Sequence, residues 1–200
     1  MNENLQEREL KERIELIETM LAEGRHSTES WGWVFVLWGV AYYVAIAWSA
    51  SGWNSNLAWP VTMVAAGLVT GALAGRNAQG RPRTGMVRAI SSIWRVTGIS
   101  LFVVMLSLGY SGRLEVHTSL AMAGAMLAVA NGASSMILRW RMQLVCALVW
   151  LGAAEVGCFG TGRQGLIAFL VANFFCQIVF GIYLMITESR RQHVHGESHA

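Results

Sequence analysis

The 200-residue sequence has no aspartate, only two prolines and only three cysteines. Charged residues make up 14% of it, whereas soluble domains carry roughly 25%. Cys146, Cys158 and Cys176 follow neither CxxC nor zinc-ligand spacing, which argues against a zinc ribbon or a thioredoxin-like motif. All three lie in apolar stretches, so we expect small buried hydrophobic residues. The shortage of charge favours a membrane protein over a soluble enzyme.

Catalytic signatures are missing as well. No GxxxxGK[ST], GxSxG or HExxH pattern occurs, which argues against a P-loop enzyme, an α/β-hydrolase or a zinc protease. No two histidines fall inside the apolar segments, so a two-histidine haem site in the bilayer is not expected. We therefore expect neither an enzymatic activity nor a cofactor.

Six long apolar segments with short polar connections predict transmembrane helices. They occupy residues 31–50, 58–75, 92–110, 117–138, 142–159 and 165–187. The first 30 residues are too charged for a signal peptide, so the first segment should remain as a membrane anchor. The predicted fold is all-α, an integral membrane bundle of six transmembrane helices (31–187). An amphipathic cytoplasmic helix (1–30) precedes it and a polar cytoplasmic tail (188–200) follows.

The basic residues are distributed unevenly between the two sides of this predicted bundle. Of the 15 Lys and Arg residues, only Arg113 and Arg163 lie in the connections of one side. The positive-inside rule then places both termini in the cytoplasm and the bundle in the inner (plasma) membrane. Membrane topology also explains the net charge of +3 and the pI near 9.0 without a nucleic-acid partner.

The sequence before the first span predicts an amphipathic helix with an apolar face that is suited to binding a partner. Leu10, Ile14, Ile17 and Leu21 form an apolar stripe at heptad spacing, and glutamates dominate the remaining surface. Gly24 is expected to end this helix. Two heptads are too short for a stable coiled coil alone, so the stripe needs a partner. The partner is the same helix in a second subunit, the cytoplasmic face of this protein, or a separate cytoplasmic protein.

Two of the predicted spans carry small residues every four positions. The glycines are Gly67, Gly71 and Gly75 in the second span, and Gly124 and Gly132, with Ala128 between them, in the fourth. Such stripes let helix backbones approach closely. They predict packing either within one subunit or across a homodimer.

Polar side chains inside the spans are the candidates for a solute path. Asn131 with Ser134 and Ser135, and Asn173 with Gln177, each lie on one helix face. They predict either hydrogen bonds between helices or a lining for a small polar substrate. Glu155 is the only acidic residue within a span, and it is either interfacial or a proton- or cation-handling group.

The polar tail contains a small group of imidazoles, namely His193, His195 and His199. Three imidazoles this close together are able to hold a divalent metal ion, but the tail has no cysteine and no defined geometry. A loose polar tail is the alternative interpretation.

These observations lead to two functional hypotheses. The leading one is a non-enzymatic accessory, interaction or sensor subunit that contacts a cytoplasmic partner through its N-terminal helix, with a homodimer as a further option. The alternative is a small transporter or channel with Asn131, Asn173, Gln177 and Glu155 along the path. The span interiors lack proline, which gives no indication of the broken helices of secondary transporters.

Overall fold

A computed structural model describes residues 2–53, 55–77, 85–113 and 115–197. These residues form helices without any strand, and six of the helices are long and apolar enough to cross a membrane. The prediction of an all-α bundle with six membrane-spanning helices is thereby confirmed.

The spans follow one another with short connections. The first six helices are α1 (Asn2–Glu29), α2 (Gly32–Ser51), α3 (Ser55–Asn77), α4 (Gly85–Tyr110), α5 (Val116–Leu138) and α6 (Arg141–Phe159). The last span comprises α7 (Gly162–Asn173), a π-helical segment (Phe174–Val179, the π segment) and α8 (Phe180–Glu197). Most bounds lie within about three residues of those expected, but α4 starts seven residues earlier and α8 continues well beyond residue 187.

The centre of the bundle is the hairpin of α5 and α6. More than half of α5 is buried, whereas α4 has a single buried residue, Ile90, within its described part. Small residues let the two helices of the hairpin approach. A Cβ added to Gly124 would lie 3.4 Å from the Cβ of Ala154, and one on Gly132 would lie 3.7 Å from that of Ala147. The close contact buries the residues between them from lipid.

The turn before α6 and the turn after it are both closed by local hydrogen bonds. Arg139 adopts the left-handed conformation (φ 49°), and its N–H donates to the carbonyl oxygen of Ser135, which ends α5. Thr161 starts α7 with a capping box, in which its hydroxyl accepts from the Gln164 N–H and the Gln164 side chain accepts from the Thr161 N–H. These ends orient the helices that carry the interior polar residues.

Gly24 does not end the N-terminal helix, contrary to the prediction. The helix continues to Glu29, and Gly24 lies inside it in a buried position. A Cβ there would lie 2.8 Å from Cδ2 of Leu138 and 3.1 Å from Sδ of Met86. Gly24 therefore lies in the contact of α1 with α4 and α5, where a larger residue would have to displace the ends of the Leu138 and Met86 side chains.

The last span departs from the regular helix that its sequence predicts. Residues Phe174–Val179 form a π segment, although no proline or glycine marks this irregularity. π-helical turns widen the helix locally and are frequent at functional sites. The segment includes the predicted path residue Gln177.

Candidate functional site

The apolar stripe of α1 is exposed along most of its length. Leu10, Ile14 and Ile17 retain 59%, 48% and 56% of their accessible surface, and Leu21 is half-buried. Ion pairs between residues one turn apart flank this stripe, Lys11 with Glu7 and Arg13 with Glu9, each at 2.7 Å. The predicted stripe therefore exists as a surface of a formed helix that precedes the first span.

The C-terminal part of α1 is fixed to the bundle by Arg25. Its Nε donates to the carbonyl oxygen of Leu138 at 2.9 Å, and one terminal nitrogen donates to that of Arg139 at 3.0 Å. These carbonyls belong to the end of α5, where backbone acceptors lack partners and the helix dipole favours a positive charge. The guanidinium thus supplies hydrogen-bond donors to the last carbonyl oxygens of α5 and fixes α1 to the bundle.

The junction between α1 and α2 is buried. Thr28 and Glu29 are 7% and 4% exposed, and the Thr28 hydroxyl donates to the Gly24 carbonyl oxygen at 3.0 Å. Three residues after Glu29, Gly32 packs closely against Gly181 of α8. A Cβ on either glycine would lie 2.8 Å from the carbonyl oxygen of the other. The base of α1 is consequently part of the bundle, while its first two thirds extend away from it.

Replacing Arg25 by alanine should release α1 from the end of α5. Hydrogen bonds from charged groups contribute about 1.5–3 kcal/mol when buried, and we expect about 1–2 kcal/mol at this half-buried site. Hydrogen exchange of the backbone amides in residues 22–31 should accelerate, and Arg25→Lys should restore the charge but only part of the protection. Arg13→Ala is the control, because its ion pair is exposed. Unchanged exchange in Arg25→Ala would contradict the anchoring role.

The predicted path amides all lie in the interior. Asn131, Asn173 and Gln177 are 1%, 0% and 3% exposed. Asn131 Nδ2 donates to the Leu127 carbonyl oxygen at 2.9 Å, and Asn173 Nδ2 donates to that of Gly39 at 3.0 Å. The second bond joins α7 to α2, as expected for amides that link helices.

Glu155 stands apart from these amides. Its side chain lies on the exposed face of α6, whereas Ala153 and Ala154 beside it are buried. The structure therefore buries three of the four predicted path residues and places the fourth on the outer surface. Its role as an interfacial or ion-handling group stays a prediction.

Two interior polar residues, Gln143 and Trp150, are not identified by the sequence analysis. Both are completely buried, and neither the Gln143 amide nor the Trp150 indole nitrogen has a hydrogen-bond partner in the protein. Gln143 is the third residue of α6, next to the basic turn, and therefore resembles a residue of the membrane interface. The available signal is its spacing of seven from Trp150, which puts both on one helix face.

The cysteines are placed largely as expected. Cys146 and Cys176 are buried and Cys158 is exposed. The Cys176 thiol donates to the Cys146 carbonyl oxygen at 3.7 Å, a contact that joins the π segment to α6. The pair therefore behaves as packed interior residues.

The two glycine stripes have different surroundings. Gly124 and Gly132 pack against α6, as described above, whereas Gly67 and Gly71 of α3 would have nothing within 4 Å of an added Cβ. The surroundings of Gly75 lie outside the described residues. The stripe of α3 thus faces outwards, and a homodimer along it stays a prediction.

The histidine tail is not part of the described site. The side chains of His193 and His195 and all of His199 lie outside the described residues. Within the ranges that the structure covers, no group of three or more His, Cys or acidic side chains is placed to hold a metal ion.

Comparison with known proteins adds no relative: no family model, curated protein or solved structure matches the chain. Its own residues offer two sites. One is the exposed stripe of the anchored helix α1, and the other is the set of buried polar side chains in the last three spans.

Proposed function

We propose that this protein is a non-enzymatic accessory subunit that recruits a soluble protein to the membrane through α1. The main observation that supports this proposal is the exposed stripe of Leu10, Ile14 and Ile17 on a helix whose base is fixed by Arg25. Apolar side chains at this spacing are those that an amphipathic helix inserts into a groove of its partner. Because the base of the helix is already ordered, binding costs less conformational entropy than it would for a flexible tail.

The proposed location of this contact is the cytoplasmic side of the inner membrane. The excess of Lys and Arg on the side of the chain ends supports that orientation. The anchor agrees with it, because α1 packs against the end of α5, next to the basic turn Arg139–Arg141.

The charges of α1 favour a partner with a basic rim around an apolar groove. Residues 6–23 contain six glutamates but only three basic residues, Arg8, Lys11 and Arg13. A second copy of the helix carries the same acidic excess, and anionic lipid headgroups would be repelled as well. We therefore commit to a separate cytoplasmic protein as the occupant.

A photo-crosslinking amino acid at Ile14 tests this proposal in cells that express the full chain. Thr19 is the matched control position, because it is exposed and lies on the opposite side of the helix. We expect one discrete adduct with a soluble protein from Ile14 and none from Thr19. An adduct of twice the chain mass, or equal labelling from both positions, would contradict the proposal.

The adduct has to be followed by a binding measurement with purified components. Once identified, the partner should bind the chain in nanodiscs, and Ile14→Glu with Ile17→Glu should weaken binding at least about 100-fold, since each of the two buried Ile side chains contributes about 1.5–3 kcal/mol. Leu16→Glu with Thr19→Glu adds the same two charges on the other face, where both side chains are exposed, and should leave the affinity nearly unchanged. Equal losses in both variants would show a general charge effect instead.

A second candidate function is conduction of a small polar solute, which the burial of Asn131, Asn173 and Gln177 favours. Proteoliposomes containing the chain should then show faster urea-driven swelling than empty liposomes, and Asn173→Leu should abolish the difference. Rates equal to those of empty liposomes would remove this candidate for urea-like solutes.

A further inference from the structure

The interior of the last three spans contains an unusual set of polar atoms. In α5 and α6, five atoms of four side chains have no hydrogen-bond partner among the described residues: Asn131 Oδ1, Ser134 Oγ, Gln143 Oε1, Gln143 Nε2 and Trp150 Nε1. All four residues are at most 1% exposed. Leaving such atoms unpaired inside a membrane is costly, so each of them requires a partner.

The register of the α5–α6 hairpin spreads these four side chains over about two helical turns. Gly132 lies opposite Ala147, with 3.7 Å between an added Cβ and the Ala147 Cβ. Asn131 and Ser134 are one and two residues from Gly132, while Gln143 and Trp150 are one turn to either side of Ala147. Long helical side chains lean towards the helix N-terminus, which brings the indole of Trp150 back towards the level of Asn131.

We infer that α5 and α6 enclose a binding site for internal water, formed by Asn131, Ser134, Gln143 and Trp150 and here named the polar seam. The chemistry of the four side chains selects this ligand. The seam offers two fixed donors, the Gln143 amide nitrogen and the indole nitrogen, and two carbonyl-type acceptors, while the Ser134 hydroxyl serves as either. A ligand that both donates and accepts, and makes about three hydrogen bonds, matches this set, and buried water does so.

Charged ligands do not match the seam. It contains no carboxylate for a metal cation and no Arg or Lys for an anion. The surrounding core is apolar, with Phe169 packed against the Trp150 ring at a centroid distance of 5.2 Å. A neutral molecule with donor and acceptor groups is the class that remains, and water is its smallest member.

The polar seam borders the irregular part of the last span. Cys176 of the π segment contacts the carbonyl oxygen of Cys146, which lies between Gln143 and Trp150 on α6. Asn173, the last residue before the π segment, adds another unpaired oxygen, Oδ1, from α7. The seam therefore lies next to the contact between α6 and the π segment.

Radiolytic footprinting of the full chain in nanodiscs, in water enriched in ¹⁸O, tests this inference. Hydroxyl radicals formed from a bound water should label the adjacent Trp150 although its side chain is inaccessible. Phe180 is the dry reference, because it is buried between the rings of Phe35 and Trp140. Rates are divided by those of the SDS-unfolded chain, and we expect Trp150 to be labelled severalfold faster than Phe180.

Equal protection of Trp150 and Phe180 in the unaltered protein would overturn the inference, so the result does not depend on any variant folding. A second measurement assigns the water to the seam. Ser134→Ala with Gln143→Leu should lower the Trp150 rate to that of Phe180, whereas Ser107→Ala, at an exposed hydroxyl bonded to its own helix, should not. Labelling of Trp150 that persists in a folded double variant would show that these residues do not hold the water.

Discussion

Gly181→Leu is expected to lower the thermal midpoint of the detergent-solubilised protein by about 2–12 °C. A Cβ at this position would lie 2.8 Å from the Gly32 carbonyl oxygen and 3.0 Å from the Phe35 Cβ. Backbone atoms cannot rotate away, so α2 and α8 must separate. Overpacking of this kind costs about 1–3 kcal/mol and sometimes more, and each kcal/mol corresponds to about 2–4 °C in a domain of this length.

Gly67→Leu is the matched control for this substitution. Gly67 lies inside α3, and nothing would lie within 4 Å of its Cβ. Gly67→Leu makes the same glycine-to-leucine change without a clash. We therefore expect an unchanged or slightly higher thermal midpoint. Equal destabilisation by both variants would mean that α3 packs against another molecule, whereas an unchanged midpoint in Gly181→Leu would mean that α2 and α8 are not in close contact.

The number and approximate bounds of the spans follow from the sequence because a bilayer leaves an apolar segment few alternatives. Its backbone groups must bond to one another, which forces a helix of predictable length. The ends are less predictable, since tertiary contacts decide them. Gly24 resembles a helix stop but serves as a contact for Leu138, and α4 starts at Gly85 within a segment that looks like a polar connection.

The interior site was predictable where polar residues lie well inside an apolar segment, away from its ends. Asn131 and Asn173 are of this kind, and both prove to be buried. Gln143 lies two residues after Arg141, so the sequence suggests the interface, and only the packing of α5 on α6 buries it. Glu155 shows the converse, because a residue within a span still has an outer face on which to lie.

The two sites share the last turns of α5. Arg25 binds the Leu138 and Arg139 carbonyl oxygens, and Ser134 of the polar seam is one turn from Leu138. A rigid helix transmits a displacement of its end to the next turn more effectively than a loop would. The anchor of the proposed docking helix and the polar seam therefore lie about one turn apart on α5.

The second large effect is expected for Trp150→Ala. Trp150 is completely buried at the centre of the bundle, against Phe169. Removing a buried aromatic ring from a soluble core costs about 3–5 kcal/mol, part of it for transfer to water and part for the cavity. In a bilayer the unfolded helices remain in lipid, so the transfer part shrinks and the lost packing dominates. We therefore expect about 3 kcal/mol, measured by SDS titration in mixed micelles.

Trp53→Ala and Trp150→Phe separate the explanations for this loss. Trp53 is 72% exposed, so its removal should change the unfolding free energy by less than about 0.5 kcal/mol. Trp150→Phe keeps an aromatic ring but removes the indole nitrogen, which has no partner in the protein. If that nitrogen binds the water of the polar seam, phenylalanine should leave a deficit beyond its smaller volume, and Ser134→Ala should remove this extra deficit in a double-mutant cycle. Strict additivity of the two substitutions would instead assign the whole loss to packing.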